Sequence, residues 1–191
     1  MPTQDERNQA TQRALLDAGR TLFAQRGYER VSVGEIAKLA EVTTGALYHQ
    51  FAGKQALFTA VYNKLVGKVW ASVLLARASA REPSLVGDCE AYLKACADPA
   101  FNRITIDGPA VIGADQILDE TEIMIHASLT AARERGEISE IPGRSLARML
   151  AAALKEAAVM IATAEDPAQA RAAALRGARQ LVRGLTTAAN P

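Results

Sequence analysis

The sequence predicts an all-α protein of about nine helices, and three observations carry that prediction. Apolar residues recur at spacings of three and four along most of the chain, no stretch alternates with period two for long enough to build a sheet, and glycines and prolines fall where such helices must stop. At 191 residues the chain has room for one ordinary domain, or for a small module joined to a larger one, and 49% of it is hydrophobic, enough to bury a core. Its 22 basic and 21 acidic residues leave a net charge of +1, so bulk charge argues neither for nor against a polyanionic partner.

The first helix runs from Gln9 to Arg26, with Leu15, Ala18, Leu22 and Phe23 on one face and Gly27 as its C-terminal stop. Ser32 stands three residues before Glu35, the spacing of a capping box, and opens a second helix that reaches about Ala40. Thr43 caps a third, ending near Gln50. After Ala52-Gly53 a longer helix begins at Lys54, carries Leu57, Val61 and Leu65 on one face, and extends to roughly Ser79. Pro83-Ser84 restarts the chain in a helix ending near Ala97, and Asp98-Pro99 and Gly108-Pro109 punctuate the next two segments. A long helix from about Pro109 to Arg135 stops at Gly136. The last two, Pro142 to Ala164 and Asp166 to Ala189, are joined by a tight turn that puts Pro167 at a first helical position.

Within this series, residues 32–51 have the layout of a helix-turn-helix, in which the second helix enters the DNA major groove. Ile36, Ala37, Ala40, Val42, Leu47 and Phe51 are spaced to pack against one another and hold the pair from behind. Thr43 can donate to a phosphate, as can backbone N–H groups at the start of its helix. Thr44, Gly45 and Ala46 are small enough to let that helix approach base edges, and Tyr48 and His49 add hydrogen-bonding groups one turn on. Lys54, at the start of the following helix, is badly placed for that helix's dipole and well placed for a phosphate.

From Met1 to Lys54 the basic residues Arg7, Arg13, Arg20, Arg26, Arg30, Lys38 and Lys54 outnumber Asp5, Glu6, Asp17, Glu29, Glu35 and Glu41 by only one. A basic face must therefore arise by segregation, with Arg7, Arg13, Arg30 and Lys38 as candidates. Cys89 and Cys96 lie seven apart in a helical segment, about 10 Å at the helical rise. That exceeds the reach of a disulfide, and both are expected to be reduced and buried. The polar start is no signal peptide and no apolar run is long enough to span a membrane, so a cytoplasmic location without membrane contact is expected.

The segment from about Gln9 to Val69 resembles the DNA-binding domain of the TetR family of transcriptional regulators. The resemblance rests on Leu22-Phe23 with Gly27-Tyr28, Ser32-Val33 with Ile36-Ala37, and the run from Val42 to Phe51 followed by Lys54-Gln55-Ala56-Leu57. It implies phosphate contacts from Ser32, Thr43, Tyr48 and Lys54, and base or groove contacts from Thr44, Gly45 and His49. Two positions depart from the family pattern. Glu41 stands where a turn glycine is usual, which implies a turn without positive φ or one under mild strain. Thr44 stands where a lysine or arginine is common.

The resemblance divides the chain into a DNA-binding domain over residues 9–69 and a helical ligand-binding and dimerisation domain over residues 70–191. It implies a double-stranded operator, an unidentified small-molecule effector and a homodimer as partners, with no cofactor. The stripes of the last two helices, Leu146, Met149, Leu150, Ala153, Leu154, Ala157 and Ile161, then Ala170, Ala174, Leu175, Ala178, Leu181 and Leu185, suit a four-helix dimer interface, with an ordinary intrachain core as the alternative. Candidate effector contacts are Trp70, Tyr92, Phe101, Met124, His126, Glu156 and Met160, polar or aromatic residues on apolar faces, with Arg103 to Asp107 a further cluster. The expected function is a ligand-responsive repressor that binds a palindromic operator. The alternatives are a helical adaptor without DNA binding and a small helical enzyme, although no nucleophile elbow, phosphate loop or metal-ligand spacing is present.

Overall fold

The computed structural model describes residues 3–96, 98–138 and 143–187. Among these the chain forms nine helices and no strand: α1 (Gln4–Arg26), α2 (Val33–Leu39), α3 (Thr44–Gln50), α4 (Lys54–Ser79), α5 (Leu85–Ala95), α6 (Pro99–Val111), α7 (Ala114–Glu134), α8 (Arg144–Thr163) and α9 (Pro167–Thr187). The expected helix limits at Ala97, Pro142 and Ala189 lie outside the described residues.

Three helices differ from their sequence reading for identifiable reasons, among them α7, which starts at Ala114 and not near Pro109 because α6 occupies that stretch. α1 starts at Gln4, not Gln9, because Thr3 and Glu6 form a capping box: the Glu6 N–H donates to Thr3 Oγ1 at 3.2 Å and the Thr3 N–H to Glu6 Oε2 at 2.6 Å. That first turn carries no apolar face, so periodicity is blind to it. α6 runs through Gly108-Pro109 to Val111, and the break falls at Gly113, whose φ is 113°. Proline disfavours helical geometry in the preceding residue through a clash with its Cβ, and Gly108 has none. The helix resumes beyond the proline with Ile112 N–H on the Gly108 carbonyl at 2.8 Å.

Packing divides the chain into two compact units. One comprises Met1–Val66 with Pro99–Gly113, the other Gly67–Asp98 with Ala114–Pro191. The change of unit within α4 thus falls between Val66 and Gly67, and α6, though it lies beyond Val69 in the chain, packs with the first unit.

The first unit is built on Leu15, Phe23, Ile36, Leu47, Leu57 and Phe58, all fully buried, with Phe101 and Ile104 contributed by α6. Each such aliphatic or aromatic side chain contributes about 1.5–3 kcal/mol by leaving water. Phe23, Tyr28 and Phe58 form an aromatic triangle with centroid separations of 5.1–5.9 Å.

The second unit buries Leu93, Ile117, Leu129, Leu154 and Ile161, and it also buries charge. Arg77 on α4 donates from Nε and Nη2 to both oxygens of Asp88 on α5, at 3.0 and 2.5 Å, and from Nη2 to Ser128 Oγ on α7 at 2.8 Å. Glu122 on α7 is buried beneath Arg144 and Arg148 of α8. Loss of the arginine partners would leave the Asp88 or Glu122 carboxylate buried without compensation. Cys89 and Cys96 are free and buried, and burial pushes both thiols up to about 12, which keeps them unreactive. None of the described helices is long and apolar enough to cross a membrane.

Candidate nucleic-acid interface

The turn between α2 and α3 sets the geometry of the pair. The Val42 N–H donates to the Ala37 carbonyl at 3.0 Å and the Glu41 N–H to the Lys38 carbonyl at 3.2 Å, the two bonds of a Schellman motif. That motif needs a left-handed residue just past the helix end, and Glu41 supplies it with φ 56°. Of the two alternatives open from sequence, the turn has positive φ and bears the strain of a side chain there.

The turn delivers α3 with one face in and one face out. Leu47 and Phe51 are buried, as are Ile36 and Ala37 of α2, which fixes the helix from behind. Thr43, Thr44, Gly45, Tyr48 and His49 are all exposed, Tyr48 to 58%. The Thr43 hydroxyl oxygen accepts the Ala46 N–H at 3.1 Å, which leaves its own proton available to donate outward. At Gly45 an added Cβ would meet only Thr43 Oγ1, at 3.8 Å. Nothing within the chain therefore requires glycine at that position.

Ser32 and Lys54 are more committed. The Ser32 hydroxyl donates to Glu35 Oε2 at 2.7 Å and its N–H donates to the same oxygen at 2.9 Å, while Arg26 Nη2 reaches Glu35 Oε1 at 2.8 Å. Hydrogen bonds from the Ser32 hydroxyl and N–H, then Arg26, hold the Glu35 carboxyl down at about 2. A phosphate contact from the Ser32 hydroxyl would have to displace Glu35. Lys54 is half-buried, with Nζ donating to the Tyr28 carbonyl at 3.0 Å and lying 4.0 Å from the Tyr28 ring centroid. Beside it an open hollow of about 480 Å³ is lined by Arg30, Ser32, Glu35 and Lys54 among others. On the other side of α3, His49 and Gln50 share a groove of about 320 Å³ with Gln4, Asn8 and Thr11 of α1.

The seven residues expected to line an effector pocket fall in separate places. Trp70 and Tyr92 are buried together in the second unit with ring centroids 5.2 Å apart. Met124 is half-buried and His126 exposed, both on α7. Glu156 and Met160 are exposed on α8 and line an apolar groove of about 330 Å³ against Ala174, Gly177, Ala178 and Leu181 of α9. Phe101 is buried in the first unit, and the Arg103 to Asp107 cluster lies there too, against Gly27 and Tyr28. Among the described residues no group of three His, Cys, Asp or Glu is placed to hold a metal ion. Half-buried Arg77 and buried Asp88 and Ser128 were not singled out in the sequence, because their partners lie in different helices and no local motif joins them.

Comparison with known proteins bears on both units. A family model described as "Bacterial regulatory proteins, tetR family" matches residues 15–61, and one described as "Tetracyclin repressor-like, C-terminal domain" matches residues 83–185. Over 61 residues the chain is 41% identical to the transposon Tn10 TetC protein of Escherichia coli, covering 32% of this chain and 31% of that protein. Over 59 residues it is 41% identical to the A-factor receptor protein of Streptomyces griseus, covering 31% of this chain and 21% of that one. The matches thus span less than a third of the length of these curated relatives. A crystal structure of a TetR-family transcriptional regulator from Pectobacterium atrosepticum superposes with a TM-score of 0.80 at 28% identity, over 97% of this chain and 98% of that one.

Proposed function

Because the chain belongs to the TetR family of bacterial regulators, and is thereby a DNA-binding transcriptional regulator, we propose that it is a ligand-responsive repressor. It binds a palindromic operator as a homodimer and is released by a small, largely apolar effector. The observation that carries this reading is the outward face of α3, where small and hydroxyl-bearing residues from Thr43 to His49 stand exposed on a helix anchored by Leu47 and Phe51.

In this reading Thr43, Tyr48 and Lys54 hold backbone phosphates, with Ser32 joining them if Glu35 yields. Thr44, Gly45 and His49 face base edges. The dimer forms through α8 and α9, where Met149, Met160 and Leu181 are exposed to 70%, 57% and 55% beside the apolar groove. The effector belongs to the second unit, with Trp70, Tyr92, Met124 and His126 as its nearest candidates. It acts by favouring a spacing of the two recognition helices that no longer fits the operator. α4 offers a continuous route for this, since one helix serves both units.

Titration of the protein against DNA from upstream of its own coding sequence, at several salt concentrations, tests the proposal. Specific binding that weakens steeply with salt is expected, and Lys54→Ala should weaken binding to all sequences alike and reduce the salt slope by about one phosphate contact. Absence of specific, salt-sensitive binding to any genomic fragment would refute the regulator mechanism.

A further inference from the structure

Asp107 of α6 is linked to Lys54 through a single residue, Tyr28. Its Oδ2 accepts the Tyr28 N–H at 2.7 Å, and the Tyr28 carbonyl in turn accepts Lys54 Nζ at 3.0 Å. The Tyr28 ring completes the cradle, lying 4.0 Å beneath the ammonium and packing edge-on against Phe58, one turn along α4 from Lys54. Both polar groups of one residue are thus held, one by a carboxylate and one by an ammonium. Gly27, with φ 76°, lies directly against this part of α6: a Cβ there would displace the end of the Arg103 side chain and stand 3.1 Å from Asp107 Oδ2. Val111 adds a second anchor, its carbonyl accepting Gln55 Nε2 at 2.7 Å.

We propose that Asp107 is a positioning residue for operator binding, which holds the Tyr28 N–H and so places the carbonyl and ring of that residue where they keep Lys54 in reach of a phosphate. The inference rests on reading Lys54 as a phosphate contact. A lysine on an unrestrained surface loses much rotamer freedom when it engages an anion. Lys54 has already lost it to the Tyr28 carbonyl and ring, and its remaining N–H donors stay available. In the loop carrying Tyr28 the backbone's own bonds are the Gly27 N–H on the Phe23 carbonyl and the Val31 N–H on the Tyr28 carbonyl, at 2.9 and 3.3 Å, and Asp107 supplies the partner of the Tyr28 N–H between them. The carboxylate lies 79 residues from the amide it holds, so no local motif announces it.

A double-mutant cycle on the full chain tests this. Affinity for the identified operator is measured across a salt series for wild type, Lys54→Ala, Asp107→Ala, the double variant and Asp107→Asn, with circular dichroism to establish that each is folded. Asp107→Ala is expected to lower affinity about fivefold to tenfold, the scale of one charge-assisted hydrogen bond, and to make the salt slope shallower, as Lys54→Ala does. In the Lys54→Ala background the same change should cost almost nothing further. Asp107→Asn should restore most of the loss, because its amide oxygen can accept the same N–H. Should the alanine variant not fold, Asp107→Ser, too short to reach the Tyr28 amide, takes its place in the cycle. Full additivity with Lys54→Ala, or wild-type affinity and slope in Asp107→Ala, would overturn the positioning role while leaving the regulator reading intact. If Lys54→Ala itself leaves affinity and slope unchanged, the phosphate contact falls and this role with it.

Discussion

Gly45 separates what a residue does for the fold from what it does for a partner. It lies in the first turn of α3, is exposed, and a Cβ there would make only an ordinary contact with Thr43 Oγ1 at 3.8 Å. Alanine there should stabilise the protein by about 0.5 kcal/mol, since glycine costs helix stability through backbone entropy. If the missing side chain leaves room for DNA, Gly45→Ala should at the same time weaken operator binding. Thermal unfolding and operator titration of the same variant check the two opposite signs, and a variant both more stable and equally tight would remove Gly45 from the interface. At this scale, roles confined to one turn are legible in sequence: Thr43 announces its cap by standing before an apolar run, and Ser32 by its distance from Glu35. Asp107 announces nothing, because the amide it accepts from is distant in the chain.

Among elements, the α2–α3 turn bears the clearest cost. Its two backbone bonds are those of a motif that ordinarily ends in glycine, and Glu41 occupies the left-handed position. Glu41→Gly should raise stability by about 1 kcal/mol, the scale of the strain that a side chain meets in that conformation. Urea unfolding midpoints at constant slope measure it, and an unchanged midpoint would mean that the glutamate recovers its cost through its own contacts. Sequence periodicity found all the helices from α1 to α5 and the start of α9, where Asp166 Oδ1 accepts the Ala168 and Gln169 N–H groups at 3.0 Å just ahead of Pro167. It placed a break at Gly108-Pro109 because that pair is a turn signal in isolation, whereas the lack of a Cβ on Gly108 removes one of the clashes by which a proline ends a helix. The effector candidates scattered for a related reason. Helical spacing identifies which residues share a face of one helix, and carries no information about which faces of different helices meet.

For the molecule as a whole, the α8–α9 face bears on assembly. Ala178 is buried within the chain, whereas Leu181 is exposed on the same groove, so under the proposed dimer a charge at Leu181 would meet the other subunit while sparing the packing of the two helices. Leu181→Glu is expected to give a folded monomer by sedimentation, with operator affinity reduced by at least about a hundredfold as the two half-sites cease to be bound together. A variant that stays dimeric would move the interface elsewhere. The division into two units also carries a meaning for modularity. The unit that bears the recognition helix draws Phe101 and Ile104 from a stretch that follows it by more than thirty positions, so it is discontinuous along the chain. A single recombination point after α4 would sever that helix from its core partners. Exchange of recognition units between such proteins, by natural shuffling or by grafting onto a new sensor, succeeds only if α6 travels with α1 to α4 or an equivalent helix awaits them.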